Sequence, residues 1–381
     1  MRRRHFVTAA GTSLAAYALP AWAQQQASAG TRLLILLELR GGNDGLNTVV
    51  PTDGRYHDLR PRLALRDDAV VAFERGLLLH RELAPLQALW REGQMAVLHG
   101  VGYPQPDLSH FRSIAIWDTA SASSEVLQEG WLSRTAGASP AFRKLAADGV
   151  VVGASDLGPL DGGARAVAVN DPSRFVQQAQ FAPSQQIAAR GALAHLLRVE
   201  ADIVQAGARI RPAQRFATEF PRGPFGQAVA HAAGVAATRQ TAVIRLTLPG
   251  FDTHTAQLPR QAALLGQLAQ AVVALRAALT EAGVWQDTLL LTYSEFGRRP
   301  QENGSQGTDH GTAGVHFAFG PGVRGGQYGA WPDLNRLDRD GNPGFAIDFR
   351  SIYAAVLEGW WQIDSRRVLG RAIAPLPFLR A

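Results

Sequence analysis

Two short stretches place aspartate beside histidine, a combination of side chains that can bind a divalent metal ion. Asp252 and His254 are two residues apart in FDTH, so in an extended segment both side chains point the same way. Asp309 and His310 are adjacent in a glycine-rich stretch. Carboxylate and imidazole groups bind zinc, manganese or calcium. The sequence therefore predicts one or two divalent ions, with His310 completing a site that begins at Asp252 and His254.

Asp44 and Glu295 are further candidate metal ligands, because each follows an apolar run typical of a buried strand. Asp44 comes after LLILLELR, and Glu295 comes after LLLTYS. Ligands of open α/β sheets bind beyond the carboxyl ends of the strands, where such residues would meet. Asp44 could instead be a turn residue, since Asn-Asp-Gly is turn chemistry. Glu295 could instead be solvated or ion-paired.

The aspartate and histidine pairs also have structural alternatives. Asp252 and His254 could cap the helix predicted after them. Asp309 and His310 could lie in a simple turn. His316, inside an apolar run, is expected in the core and is not among the candidate ligands.

Apolar runs alternate with segments of helical spacing along the chain. The strand-like runs are RLLILLELR, QMAVLHGVGY, TAVIRLTLPG, DTLLLTYS and GVHFAFGPGV. The helical segments are 83–92, SHFRSIAIWDTASA, 258–282 and FRSIYAAVLEGWW. Residues 136–240 are harder to assign and could form a cap or an insertion. The pattern predicts a single α/β domain over residues 32–381, with a mostly parallel central sheet flanked by helices.

The first 23 residues have the features of an export signal. MRRRHFV gives a charged start, small apolar residues follow, and AWA is a small-x-small cleavage site. The paired arginines resemble a twin-arginine signal, and a general secretory signal is the alternative. Residues 1–23 are therefore predicted to direct the protein through the twin-arginine translocase to the periplasm or exterior, with 24–31 as a linker. The apolar run is too short for a stable membrane span.

Composition narrows the remaining classes of function. The 381 residues carry a net charge of +6, and three of these charges lie in the RRR at the start. Other arginines are scattered, without the basic runs and interleaved aromatic residues that bind nucleic acid, so no nucleic-acid partner is expected. The chain has no cysteine. Any metal must then be held by His, Asp, Glu or hydroxyl groups.

Five stretches carry a resemblance to a known family. In chain order they are LELRGGNDGLNTVVP, YPQPDLSHFRSIAIWDTA, FDTHTAQ, LLLTYSEFGR and TDHGTAGVHFAFGPGVRGG. They resemble a large bacterial family of exported proteins called domain of unknown function 1501, which is similar in turn to the alkaline phosphatase superfamily. The resemblance implies an alkaline-phosphatase-like α/β fold with one or two metal ions at the strand ends.

The resemblance also implies roles for individual residues. Asp44 resembles the superfamily's metal aspartate after the first strand. Asp252 and His254 resemble ligands of the other metal, although the superfamily spaces these two residues further apart. Ser109, at a predicted helix start, resembles the nucleophile that attacks phosphorus or sulfur, and the alternative is that it only caps that helix. Arg112, one turn later, could hold the non-bridging oxygens of the ester.

The chain departs from the superfamily in TYSEFG, where an Asp-His-Gly sequence is usual. Glu295 can replace the aspartate, but Phe296 cannot replace the histidine as a ligand. His310 falls where a late histidine completes the first metal site. The resulting prediction is an exported metal-dependent hydrolase that acts through Ser109 on small-molecule or polymer esters of phosphate or sulfate. The alternative is a non-catalytic exported binding or envelope protein that keeps the fold and a partial metal site.

Overall fold

The computed structural model describes residues 32–74, 76–169 and 214–380. The predicted export signal (1–23) and linker (24–31) lie outside the described residues. So do residues 170–213 of the segment for which a cap or insertion was left open.

The described strands and helices alternate along much of the chain. In chain order the strands are β1 Leu33–Arg40, β2 Val49–Pro51, β3 Val70–Glu74, β4 Leu77–His80, β5 Met95–Gly102, β6 Ala147–Val152, β7 Ala166–Val169, β8 Thr241–Pro249, β9 Thr288–Tyr293, β10 Gly297–Glu302, β11 Thr308–Gly311, β12 Gly314–Phe319, β13 Gly326–Tyr328 and β14 Ile347–Asp348. The α-helices are α1 Gly54–Leu59, α2 Gln87–Arg91, α3 His110–Thr119, α4 Trp131–Ala138, α5 Pro224–Ala237, α6 Gln257–Glu281, α7 Phe349–Ala355 and α8 Ser365–Leu369.

One large sheet organises these elements. Its strand order is β13-β5-β12-β9-β1-β8-β6-β7, and β14 also pairs with β5. Every neighbouring pair from β9 to β7 is parallel, whereas β12 is antiparallel to both β9 and β5. The prediction of a mostly parallel central sheet is confirmed. Strands β2, β4 and β3 form a small separate sheet, and β10 pairs with β11.

The two faces of the sheet bury separate apolar cores, because successive side chains of a strand point to opposite faces. In β1, Ile35 and Leu37 pack into the core under α5 and α6. Leu34 and Leu36 pack into the core under α3, α4, α7 and α8. Burial on both faces explains why β1 is apolar from Leu33 to Leu37 rather than alternating. The predicted flanking helices are therefore confirmed.

One helical segment differs from its predicted form, and another has the composition of a membrane span. The predicted helix at 83–92 is a 3-10 helix, Arg81–Leu86, followed by α2. Pro85 lies inside the 3-10 segment, where it has no N–H to donate to an α-helical hydrogen bond. Helix α6 is long and apolar enough to cross a membrane by length and composition. Its apolar residues, such as Leu268 and Leu275, are buried against the sheet, as in a core helix.

The described parts of residues 136–240 contribute to the main sheet and its helical layers. Strands β6 and β7 extend the sheet beyond β8, and α5 packs against β6, β8 and α6. These parts of the segment belong to the central domain.

Candidate metal centre

The candidate site lies where three adjacent parallel strands end. Strands β9, β1 and β8 are neighbours in the sheet, and Glu295, Gly41 and Asp252 follow their carboxyl ends. The Gly41 N–H donates to Glu295 Oε1 at 2.9 Å. A Cβ at Gly41 would lie 2.2 Å from the backbone nitrogen of Asp252, and its φ of +117° also favours glycine. Glycine thus allows the ends of β1 and β8 to approach each other closely.

Other elements bring histidines to this edge. His110 is the first residue of α3, and His310 lies in β11. The hairpin of β10 and β11 pairs Arg298 with His310, and β10 begins directly after the Glu295 loop. The sheet, a helix start and a hairpin therefore meet at one place.

The potential ligand atoms lie at distances that suit a single ion. His110, Asp252 and His310 each offer one ligand atom within 4.8 Å of the other two. Asp252 Oδ1 lies 3.0 Å from His254 Nε2 and 3.2 Å from His310 Nε2. Asp252 Oδ2 lies 3.4 Å from His110 Nε2. Ligands about 2.0–2.1 Å from a tetrahedral zinc ion lie about 3.3 Å from one another, so this spacing fits such an ion.

Hydrogen bonds orient two histidines of the cluster, His110 and His310. His110 Nδ1 lies 2.9 Å from Glu295 Oε1, and His310 Nδ1 lies 2.8 Å from the Leu108 carbonyl oxygen. A carbonyl oxygen can only accept, so His310 Nδ1 must carry the proton, and the carboxylate favours the same tautomer in His110. Each ring then turns its Nε2 toward Asp252, which leaves that atom as the one placed to bind a cation. Metal-binding histidines are commonly held in this way.

The contact between His254 and His310 also bears on whether the cluster can hold a cation. His254 Nε2 and His310 Nε2 lie only 3.0 Å apart. Two nitrogen lone pairs at this distance repel each other unless a proton or a metal ion lies between them. His254 Nδ1 is 3.4 Å from Asp309 Oδ1, an acceptor that favours an unprotonated Nε2 here too. The donor set therefore fits a divalent cation.

The charges around the cluster are unequal. The carboxylates of Asp252, Glu295 and Asp309 each contact a histidine of the cluster. One buried guanidinium, that of Arg298, lies beside them, with its Nη2 2.6 Å from Asp252 Oδ1. Although partial burial acts to raise the pKa of Asp252, the hydrogen bond and charge of Arg298 lower it to about 2. Burial lowers the pKa of His310. The Asp252 carboxylate and the His310 imidazole are thus in their metal-binding forms near neutral pH, and the three carboxylates outnumber the one buried guanidinium.

Asp44 is not brought into the cluster. Its Oδ2 lies 2.6 Å from Arg60 Nη1 and its Oδ1 lies 3.0 Å from Arg60 Nη2, with both side chains buried. Oδ1 also accepts from the Leu46 N–H, and Oδ2 accepts from the Gln257 amide. Asp44 therefore stabilises the loop after β1, and binding a metal would first require breaking this buried ion pair.

The two predicted catalytic residues lie at the start of α3. Ser109 is the N-cap residue, but its exposed hydroxyl makes no cap hydrogen bond. Ser109 directly precedes His110, so it lies next to the cluster in sequence. Arg112 Nη2 donates to the carbonyl oxygens of Ala122 and Ser123, at 3.4 and 3.0 Å. Arg112 is thus engaged in holding the loop after α3.

Three residues that were not among the predicted site residues shape this site. His110 supplies an imidazole, and Arg298 neutralises part of the charge of Asp252. The Phe296 ring lies 4.1 Å from the His310 ring and 4.9 Å from that of His110, between centroids. Phe296 occupies the position where the superfamily resemblance expects a histidine, and His110 packs against it. The Ser-His pair at a predicted helix start was the available signal for His110.

A cleft of about 800 Å³ adjoins the cluster. His110 and Glu295 lie in its wall, and α3 and residues 155–158 form much of the rest. Glu38 and Arg40 of β1 also line it and are ion-paired to each other, with 2.9 Å between Arg40 Nε and Glu38 Oε1. A ligand at the metal cluster would therefore have room to extend into this cleft.

Asp118 in the cleft should make stability depend on pH. Burial raises the pKa of its carboxyl from 3.8 to about 8, against the opposing charge of Arg245. Between these values the folded state holds a proton that the unfolded state releases, so stability falls as pH rises. We expect Asp118→Asn, which does not titrate, to gain up to about 1.4 kcal/mol over wild type per pH unit. Denaturant unfolding of both proteins from about pH 5 to about pH 8 measures this difference. Equal pH slopes would contradict it.

Sequence comparisons place most of the chain in one family. A family model described as "Protein of unknown function (DUF1501)" matches residues 94–370. The stretch around Asp44 lies outside the matched residues. No curated protein matches the sequence.

Solved structures resemble the chain only loosely. The sulfatase PsFucS1 from Pseudoalteromonas sp. is 11% identical, with 91% of this chain and 70% of that chain covered and a TM-score of 0.41. The lipoteichoic acid synthase LtaP from Listeria monocytogenes is 10% identical, with 90% and 76% covered and a TM-score of 0.38. The periplasmic domain of EcEptC from Escherichia coli, solved as a complex with Zn, is 10% identical, with 76% and 73% covered and a TM-score of 0.32. Scores of this size carry no conclusion about activity.

Proposed function

The chain belongs to the DUF1501 family, and from the geometry of its own site we propose that it is an exported metal-dependent hydrolase of phosphate or sulfate esters. One observation carries the proposal. His110 and His310 have their Nδ1 atoms tied to Glu295 and to a backbone carbonyl, which leaves both Nε2 atoms facing Asp252. Preorganised ligands beside a large cleft are typical of a metal-dependent active site.

The proposed ion is zinc or another divalent cation, held by His110, Asp252, His254 and His310. When bound, such an ion stabilises negative charge on an ester oxygen and lowers the effective pKa of a hydroxyl near it. Glu295 keeps the His110 ring oriented. Arg298 fixes Asp252 and offsets part of the site's negative charge.

Ser109 is the proposed nucleophile. Its hydroxyl oxygen would form a bond to phosphorus or sulfur while the bond to the ester's alcohol oxygen breaks, and the serine proton would leave with that oxygen as the free alcohol. Water would then attack the serine ester, restoring the hydroxyl and releasing phosphate or sulfate. The first N–H groups of a helix have no partners within the helix, so the start of α3 suits a tetrahedral anion. The unused cap position of the Ser109 hydroxyl supports this role. Arg112 contributes indirectly, by holding the loop after α3.

A non-catalytic binding protein is the second candidate. It is favoured by the ion pair between Arg298 and Asp252, in which a buried guanidinium lies 2.6 Å from a proposed ligand oxygen. A fixed positive charge at this position weakens the attraction of the cluster for a cation. Such a protein would bind ligands at the cluster without turning them over.

Metal analysis combined with an ester panel separates the two candidates. The purified protein is analysed for metal content and then assayed with aryl phosphate monoesters, aryl phosphate diesters and aryl sulfates, with and without a chelator. The hydrolase proposal expects a bound divalent ion and chelator-sensitive turnover of at least one ester class. Metal-loaded protein that turns over none of these esters supports the binding protein instead.

Export is proposed on the twin arginines of the leader. Replacing Arg3 and Arg4 together by lysine should leave the precursor in the cytoplasm, because the translocase reads the arginine pair. Cell fractionation with immunoblotting measures the distribution. N-terminal sequencing of the exported wild type should begin at Gln24, after the AWA site. Normal export of the double-lysine protein would count against the proposal, whereas a single Arg2→Lys change serves as the control.

A further inference from the structure

The cleft beside the metal centre follows one face of α3. His110, Ile114 and Asp118 are four residues apart and all line the cleft, as expected for one face of a helix. Eight residues of α-helix rise about 12 Å. The cleft therefore runs from the metal cluster at His110 to a carboxyl group about 12 Å further along.

Part of the cleft wall is apolar, and two of its side chains are exposed. Phe111 is 89% exposed and Leu127 is 43% exposed, and both line the cleft. Ile114 and Leu157 add further apolar surface. A large aromatic side chain in water beside a deep cleft is a feature of ligand-binding surfaces, because the ligand removes it from water.

The far end of the cleft is polar, but one group there lacks a partner. Arg40 donates to Asp156 at 3.0 Å as well as to Glu38. Arg245 beneath them pairs with Glu38 at 2.7 Å and with Asp156 at 2.8 Å. Asp118 Oδ1, by contrast, is buried and has no hydrogen-bond partner among the described residues. A buried polar atom without a partner costs stability, and a ligand group that supplied the missing hydrogen bond would remove that cost.

We propose that this cleft binds the organic part of the ester, an elongated group about two six-membered rings long with an apolar ring and a hydroxyl-bearing ring. The apolar ring lies against Phe111 and Leu127, next to the metal cluster. The hydroxyl-bearing ring hydrogen-bonds to Asp118. The assignment of an ester to the metal end rests on the proposed function, whereas the binding of the two rings does not.

Phenyl β-glucoside is a suitable probe, because it has an aryl ring and a hydroxyl-bearing ring but no phosphate or sulfate ester. Its binding to the metal-loaded protein is measured by titration calorimetry. We expect Phe111→Ala and Asp118→Leu each to raise its Kd by about tenfold or more, the effect of losing one good contact. Asp118→Asn keeps a hydrogen-bonding group and should bind within about threefold of wild type. Methyl β-glucoside, which lacks the aryl ring, should bind more weakly to wild type and be insensitive to Phe111→Ala.

Two controls make the result specific. Phe345→Ala removes a 40% exposed phenylalanine that does not line the cleft, and it should leave the Kd unchanged. Asp118→Leu removes the buried Oδ1 that has no hydrogen-bond partner among the described residues, so its melting temperature should rise while its affinity falls. A loss of binding by misfolding would lower both.

The outcomes separate this inference from the proposed function. Probe binding that depends on Phe111 and Asp118 supports the inference even if no ester in the panel is hydrolysed. Turnover of esters, combined with absent probe binding or with a Kd that neither substitution changes, overturns the inference and leaves the hydrolase intact.

Discussion

Ser109→Ala should lower ester turnover by about a thousandfold or more while the protein stays folded and metal-loaded. The substitution removes the oxygen that would attack phosphorus or sulfur, and no neighbouring group replaces a lost nucleophile in the same geometry. A helix N-cap serine usually contributes about 1 kcal/mol, but the Ser109 hydroxyl makes no cap hydrogen bond, so little stability should be lost. Steady-state turnover on the best ester of the panel, measured together with melting temperature and metal content, tests this.

Two further variants exclude simpler explanations of such a loss. Ser124 is an exposed serine in the loop after α3, and Ser124→Ala should keep wild-type turnover. Ser109→Thr retains a hydroxyl and should keep more activity than the alanine variant. Wild-type turnover by a folded, metal-loaded Ser109→Ala protein would remove Ser109 from the mechanism. The hydrolase would then need another nucleophile, with water as the first alternative.

Much of the fold could be predicted because the strands of its parallel core are buried on both faces. Strands β1, β8 and β9 are mostly apolar and end in glycine or polar residues, a pattern that is typical of buried parallel strands. The charged residues inside them, Glu38 and Arg245, pair with each other. The antiparallel direction of β12 could not be predicted in the same way. Its apolar run has the same composition as its neighbours, and its direction depends on how the β10–β11 hairpin returns the chain to the sheet.

The part of the site at the strand ends could also be predicted. The ends of parallel strands lie at one edge of a sheet, so Asp252 and Glu295 were expected to be close to each other. In the structure His110 lies against both, at 3.4 and 2.9 Å. His310 meets Asp252 as expected, because the β11 hairpin reaches the same edge.

The remaining contacts depend on packing that a local pattern does not encode. Asp44 also follows a strand, but Arg60, sixteen residues later, enters the core and takes both its oxygens. Arg112 could equally have faced an anion, but it is held by carbonyl groups of the next loop. His110 becomes a candidate ligand only because α3 begins beside the Glu295 loop. In each case the contact partner comes from another part of the chain, and neither composition nor local spacing identifies it.

Removing one imidazole from the cluster should weaken metal binding by about a hundredfold or more. His310→Ala is the sharpest such change, because His310 Nε2 lies within 3.2 Å of both Asp252 Oδ1 and His254 Nε2. An ion that binds only the folded state stabilises it by about 2.7 kcal/mol at a hundred times its Kd. Added zinc should therefore raise the melting temperature of wild type, and it should raise that of His310→Ala much less. Zinc titration with a competing chelator measures the affinity directly.

His57 and Glu295 provide the comparisons that assign this effect to the cluster. His57 is an exposed histidine in α1, and His57→Ala should keep wild-type zinc affinity. Glu295→Gln keeps the shape of the side chain but removes the charge that faces His110 Nδ1, so it should weaken zinc binding by about 10- to 100-fold. Zinc affinity should therefore fall in the order His57→Ala, Glu295→Gln, His310→Ala. This order is expected if His310 is a ligand and Glu295 orients another ligand. If His310→Ala binds zinc as tightly as His57→Ala does, the proposal of one metal site at His110, Asp252 and His310 is wrong. Any turnover by Ser109 would then have to proceed without a metal ion at that site.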